Sequence, residues 1–95
     1  GPRLDPIKAK DKFIRIGFNI SDSGEKFGVI IRNQIAEISD FYDEDYDAIV
    51  TVDSSTWKAV VLKTENAARA IASGKLSISG EALKFLQFSS MFVND

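Results

Sequence analysis

Alternation of apolar and polar residues predicts strands in the first half of the chain. Every second residue is large and apolar over residues 13–20, and the same alternation runs over residues 26–32. A period of two residues places these side chains on one face of a strand. The predicted inward-facing residues are Ile14, Ile16, Phe18, Ile20, Phe27, Val29 and Ile31. Because residues 21–25 are turn formers, the two strands should form a hairpin.

A third strand is expected directly after this hairpin. Residues 33–34 are a short linker into the apolar run 35–38. A two-residue linker can form a tight turn, although Gln34 is a poorer residue than glycine where φ must be positive. The three strands therefore predict a β-meander.

The middle of the chain predicts a strand followed by a helix. Residues 48–52 are too few for a helix and rich in β-branched side chains, which favours a strand inside the sheet. Asp53 follows, and its carboxylate can accept hydrogen bonds from the free N–H groups of a helix that starts at Ser54. Val52 and Trp57 have the spacing of a hydrophobic staple around this N-cap.

Two further helices and one strand complete the expected fold. The cap-type residues 64–66 precede an alanine-rich helix over residues 67–72, which Gly74 ends. Residues 76–79 alternate as a half-buried strand, and a final helix is predicted over residues 81–93. The chain is thus expected to be α+β, with an antiparallel or mixed sheet of about five strands that helices cover on one face. The expected order of elements is a β-meander followed by strand, helix, helix and strand.

The final helix is apolar on more than one side. Phe85, Phe88 and Phe92 form one stripe, and Leu83 and Leu86 point away from it. An ordinary surface helix needs only one apolar stripe, so this helix is either buried or covers an apolar cavity. In the second interpretation we assign the aromatic stripe to the ligand and Leu86 to the core.

The length of 95 residues predicts a single domain over 1–95, able to bury roughly 60–65% of its unfolded surface. Residues 1–10 are predicted to be a connecting segment outside the core. Within it, residues 4–9 are either the frayed end of a helix or the first turn of one, with Pro6 near its start. Gly1 and Pro2 also fit the scar of a cleaved tag, which would make the sequence part of a longer protein.

Composition excludes several classes of function. The net charge is −2 and the twelve Lys and Arg are scattered, so no surface for nucleic acid or an anionic membrane is predicted. Histidine and cysteine are absent, which excludes His-dependent triads and the usual zinc ligand sets within this chain. We therefore predict no catalytic, cofactor-binding or metal-binding residues here. No signal peptide or membrane-length apolar run is recognisable, and the compartment stays open.

The acidic segment, residues 40–47, carries five carboxylates in eight residues. Asp43, Asp45 and Asp47 match the first three ligand positions of a calcium loop, but the glycine and the bidentate glutamate that this motif needs are missing. A solvated acidic connection, which also discourages edge-to-edge sheet pairing, is the preferred interpretation.

Five stretches carry a family resemblance: residues 3–6 with 8–9, 18–25, 31–33, 47–52 and 72–80. Their order and spacing resemble the sterol carrier protein fold, also called the non-specific lipid-transfer fold. More narrowly, the chain resembles the C-terminal domain of alkyl sulfatases of the metallo-β-lactamase superfamily, and the opening Arg-Leu-Asp-Pro favours this subgroup. The chain departs from the pattern at Gln34, where glycine is common, and it lacks the long N-terminal helix and the zinc-binding histidines of the parent family.

The resemblance implies a domain that binds an aliphatic or lipid-like ligand beside the N-terminal catalytic domain of a longer, zinc-dependent alkyl sulfatase. A free-standing lipid carrier is one alternative, and a structural domain for packing or homodimerisation is another. The candidate residues of the apolar pocket are Phe18, Trp57, Val61, Ile71, Ile78, Phe85, Phe88, Met91 and Phe92.

Overall fold

The structure is a computed structural model that describes residues 2–40 and 45–94. Its strands are β1 (Pro2–Leu4), β2 (Ile14–Ile20), β3 (Lys26–Arg32), β4 (Ile35–Asp40), β5 (Ala48–Val52), β6 (Leu76–Gly80) and β7 (Phe92–Asn94). Its helices are α1 (Ser54–Val61), α2 (Ala67–Ala72) and α3 (Ala82–Ser90).

The main sheet has the strand order β4-β3-β2-β5-β6. Strands β2, β3 and β4 form the predicted antiparallel meander. Strand β5 pairs parallel with β2 and antiparallel with β6, so the sheet is mixed. The predicted α+β fold with a five-stranded mixed sheet is confirmed. The apolar residues of β2 lie at the centre of the core, where Ile16 and Phe18 are fully buried.

Two carboxylates fix the start of helix α1. Asp53 Oδ2 accepts hydrogen bonds from Ser55 Oγ at 2.6 Å and Thr56 N at 3.1 Å, and these bonds lower the pKa of Asp53 to about 2. Asp22, in the turn between β2 and β3, accepts bonds from Ser54 N at 2.9 Å and Ser54 Oγ at 2.6 Å, which lower its pKa as well. Both negative charges complement the positive end of the helix dipole, and the bonds to Asp22 tie α1 to the hairpin.

The two ends of the described chain pair with each other. Helix α3 ends at Ser90, and β7 pairs antiparallel with β1. Asp5 N also donates to the Met91 carbonyl at 2.8 Å. The predicted helix over residues 81–93 was therefore wrong beyond Ser90, and the helical start expected at residues 4–9 is a strand end followed by turns. Local apolar spacing cannot reveal a strand whose partner lies at the other end of the chain.

Helix α3 packs on the sheet through its aromatic stripe. Phe85 is fully buried and Phe88 is 3% exposed, with ring centroids 6.3 Å and 5.7 Å from that of Phe18. Leu83 is 73% exposed and Leu86 is half-buried. The expectation that Leu86 fills the core was wrong, because the aromatic rings bury more apolar area against the sheet.

Candidate functional site

An apolar groove of about 350 Å³ lies over the β3–β4 side of the main sheet. Helix α3 packs on β2 and β5, and α2 packs on β6, so the inward residues of β3 and β4 are left to form a floor. The β3–β4 register pairs Val29 with Ile38 and Ile31 with Ala36, which keeps these side chains on one face. The floor residues of the groove are Phe27, Val29, Ala36 and Ile38.

Aromatic rings from three elements form the wall of the groove. Trp57 of α1 stands against the buried Phe18, with ring centroids 4.6 Å apart. Phe88 of α3 contacts Phe92 of β7 at 5.1 Å between centroids. Val60 and Val61 complete this wall. The groove is therefore an outward extension of the hydrophobic core.

Polar groups are concentrated at one place in the groove. Lys63 and Ser89 are the polar residues among those that line it, and Lys63 Nζ donates a hydrogen bond to the Ser89 carbonyl at 2.7 Å. Partial burial lowers the pKa of Lys63, and the positive charge of Lys8 lowers it further. The contribution of Lys8 indicates that a second ammonium group lies near Lys63.

A second cavity of about 380 Å³ adjoins the groove at this polar end. The two cavities share Val60, Lys63 and Ser89. The other residues that line the second cavity are Glu65, Asn66, Ala67, Ala68, Leu86 and Ser90. Its lining is more polar than that of the groove, and Lys63 stands between the two.

The structure brings together four of the nine candidate pocket residues. Those that line the groove are Trp57, Val61, Phe88 and Phe92. Phe18, Phe85 and Met91 are buried in the core. Ile71 on α2 and Ile78 on β6 are half-buried and do not line the groove, because β6 is the sheet edge opposite β4. A role in ligand binding stays a prediction for all nine.

Sequence reasoning missed seven residues of the groove: Phe27, Val29, Ala36, Ile38, Val60, Lys63 and Ser89. The alternation of β3 identified Phe27 and Val29 as inward-facing, but it could not show that no helix covers them. Lys63 gave no signal, since it follows α1 in a backbone conformation with a φ of 63° that only the folded structure reveals.

Among residues 2–40 and 45–94, no group of three or more His, Cys, Asp or Glu side chains could hold a metal ion. The calcium interpretation of the acidic segment falls partly on residues 41–44, which lie outside the described residues. In the described part of the chain no helix is both long enough and apolar enough to cross a membrane.

Solved structures share this fold. The chain is similar to the stereoselective inverting sec-alkylsulfatase Pisa1 from Pseudomonas sp., with a TM-score of 0.90 at 18% identity over 98% of this chain and 15% of that one. It is similar to apo Sterol Carrier Protein 2 from Yarrowia lipolytica, with a TM-score of 0.63 at 17% identity over 90% of this chain and 71% of that one. It is also similar to palmitated SCP2L2 from Aedes aegypti, with a TM-score of 0.66 at 21% identity over 90% of this chain and 78% of that one.

These likenesses confirm the sterol carrier protein fold. No curated protein matches the chain. The chain spans about 15% of the length of the sec-alkylsulfatase that it resembles. The model of the family described as alkyl sulfatase C-terminal matches residues 1–94, nearly the whole sequence. The chain therefore belongs to the alkyl sulfatase C-terminal family.

Proposed function

We propose that this domain binds the alkyl chain of an amphiphilic ligand in the groove. The observation that carries the proposal is the lining of the groove, in which nine of eleven residues are apolar. A volume of about 350 Å³ lies at the lower end of the range of roughly 300–1,000 Å³ usual for small-molecule sites, which favours a single chain over a bulky ring system. The palmitated relative from Aedes aegypti supports an aliphatic ligand for this fold.

We further propose that the domain serves as the substrate-binding part of a longer, alkyl sulfatase-like hydrolase. Membership of the alkyl sulfatase C-terminal family supports this role. The zinc ion that the resemblance implies does not fit this chain, which has neither His nor Cys. Hydrolysis is therefore assigned to a separate catalytic segment, and a zinc-ligand sequence such as His-x-His-x-Asp-His elsewhere in the same reading frame would support that assignment.

A free-standing lipid carrier is the second candidate function. The chain spans 71% of the length of the Yarrowia lipolytica protein and 78% of the length of the Aedes aegypti protein. This high coverage of two sterol carrier proteins favours the second candidate. Both candidates use the same groove, and the complete reading frame distinguishes them.

The groove has a built-in optical reporter. Trp57 is the single tryptophan of the chain and lines the groove, so its fluorescence should change when a chain enters. We expect decyl sulfate and decanoate, titrated below their critical micelle concentrations, to bind saturably with micromolar Kd. Each added methylene should tighten Kd by about fourfold, because burying one contributes about 0.8 kcal/mol.

A matched pair of variants on β4 tests the location. Ile38 is 77% exposed and lines the groove, whereas Ile35 is 57% exposed on the same strand and does not line it. Their odd separation puts the two side chains on opposite faces. Ile38→Ser should weaken decyl sulfate binding several-fold, and Ile35→Ser should leave it unchanged. No saturable binding, or equal effects of the two variants, would contradict the proposal and favour a packing role for this face.

A further inference from the structure

We propose that the groove is directional, with an anionic head group against Lys63 and the alkyl chain running along α1 toward Trp57. The inference rests on the proposed function, because it takes the groove to hold an alkyl chain. It assigns Lys63 as the residue that selects the head group, and it assigns to the ligand a single chain ending in a sulfate or a carboxylate.

The charges at this end of the groove favour an anion. Lys63 is the one charged residue among the described residues that line the groove. The ion pairs at Arg32–Glu37 and Lys75–Glu65 do not include it. Its ammonium has three donors, and the Ser89 carbonyl takes one of them. Two donors remain, and the nearby charge of Lys8 adds to the positive potential.

The fold holds the ammonium in place. The last turn of α3 has no basic residue of its own, and Lys63 supplies the missing positive charge by bonding the Ser89 carbonyl. A side chain fixed in this way loses little further freedom when an anion binds, which favours selective recognition. The competing interpretation is that Lys63 only caps α3, and the experiment below separates the two.

The position of Trp57 makes the direction of the bound alkyl chain measurable by fluorescence. Lys63 follows α1 by two residues and Trp57 lies in its first half, six residues earlier. At 1.5 Å per residue Trp57 lies about 6 Å from the end of α1 at Val61 along the helix axis, and Lys63 lies beyond that end. An extended chain advances about 1.2 Å per bond, since three backbone bonds span about 3.6 Å. At least about five bonds therefore separate a head group at Lys63 from the carbons beside the indole, so in a dodecyl chain these carbons belong to the methyl half.

A head-group series tests the selectivity. Decyl sulfate, decanoate, decyl maltoside and decyltrimethylammonium are titrated against the native chain and Lys63→Met, followed by Trp57 fluorescence. We expect Lys63→Met to weaken the two anions by about three- to tenfold, the range of a partly exposed charged hydrogen bond, and to leave the maltoside unchanged. Lys63→Arg should retain the preference, and Lys58→Met, at an exposed position of α1 outside the groove, should change nothing.

Each outcome has one meaning. If Lys63→Met lowers the melting temperature and weakens all four ligands equally, Lys63 is only a cap and the inference fails. If the native chain binds all four equally, the head group is not selected and the inference fails. If none of the four ligands binds, the proposed function itself fails, and the inference fails with it. The difference between decyl sulfate and decanoate tells which anionic head fits better.

Bromine quenching tests the direction separately. Dodecanoate brominated beside the carboxylate, at mid-chain or at the terminal methyl is bound to the native chain, and quenching of Trp57 is compared at saturation. We expect stronger quenching from bromine at the terminal methyl than from bromine beside the carboxylate, because a chain that runs in the opposite direction would reverse this order. Strongest quenching from bromine beside the carboxylate, or equal quenching from all positions, overturns the direction.

Discussion

Truncating Phe88 to alanine should destabilise the domain strongly. The ring is 3% exposed, and its centroid lies 5.7 Å from that of Phe18, 6.2 Å from Phe85 and 5.1 Å from Phe92. Replacing a buried phenylalanine by alanine costs about 3–5 kcal/mol. We expect the lower end of this range, because Phe88 also lines the groove and the void would open into it.

Urea unfolding followed by far-UV circular dichroism measures this loss. About 3 kcal/mol is a large part of the roughly 5–15 kcal/mol by which a domain is usually stable. With an m-value of about 1–3 kcal/mol/M, the midpoint should fall by at least about 1 M. A change in the m-value itself would indicate an altered denatured or native state, or unfolding that is not two-state, and would invalidate this comparison.

Leu83→Ala on the same helix is the matched control. Leu83 is 73% exposed, so its truncation should change the free energy of unfolding by no more than about 0.5 kcal/mol. Leu86, which is half-buried, should fall between the two. Similar midpoints for Phe88→Ala and Leu83→Ala would refute the conclusion that α3 packs through its aromatic stripe.

A turn, a helix cap and the acidic segment give three further tests. Asn33 and Gln34 have φ values of 53° and 63°. Gln34→Gly should therefore relieve about 1 kcal/mol of left-handed backbone strain and raise Tm, although the hydrogen bond from Gln34 Nε2 to the Pro6 carbonyl is lost. A lower Tm would contradict this expectation. The pKa of Asp53 falls from 3.8 to about 2 on folding, so its stabilisation is complete above the unfolded value and is lost as pH falls toward 2. Asp53→Asn should flatten that part of the curve of Tm against pH, and an unchanged curve would exclude the cap as its cause. We predict no metal-binding residues in this chain, so added Ca²⁺ or Zn²⁺ should leave Tm unchanged. A metal that binds the native state raises Tm, and a rise of several degrees would therefore reveal a metal site.

Strands β2 to β6 and the starts of α1 and α2 could be predicted because their signals are local. Alternation fixed the inward face of β2, and Asp53 and Asn66 are the cap residues that the structure uses. Asn66 Oδ1 accepts a hydrogen bond from Arg69 N at 3.0 Å, as a cap of α2 should. A hydrogen bond between residues three apart needs no knowledge of the rest of the fold.

The groove could not be predicted because it depends on which strands the helices leave uncovered. The predicted inward positions of β3 were correct, but whether a helix or solvent faces them is decided by the strand order, in which β4 is an edge. The choice between the two apolar stripes of α3 is also a tertiary effect. Both stripes have helical spacing, and only the position of Phe18 beneath α3 makes Phe85 and Phe88 the buried ones.

Phe92 shows how the groove depends on the pairing of the chain ends. The helical stripe correctly placed it near Phe88, but the ring reaches that position from β7 and not from a continuation of α3. Strand β7 is held by β1, with Leu4 opposite Phe92 in the register. One wall of the groove therefore rests on a two-stranded ribbon outside the main sheet. Because an isolated two-stranded ribbon is only marginally stable, this wall depends on packing such as the contact of Phe92 with Phe88, and a ligand that packs against Phe92 would stabilise the ribbon further.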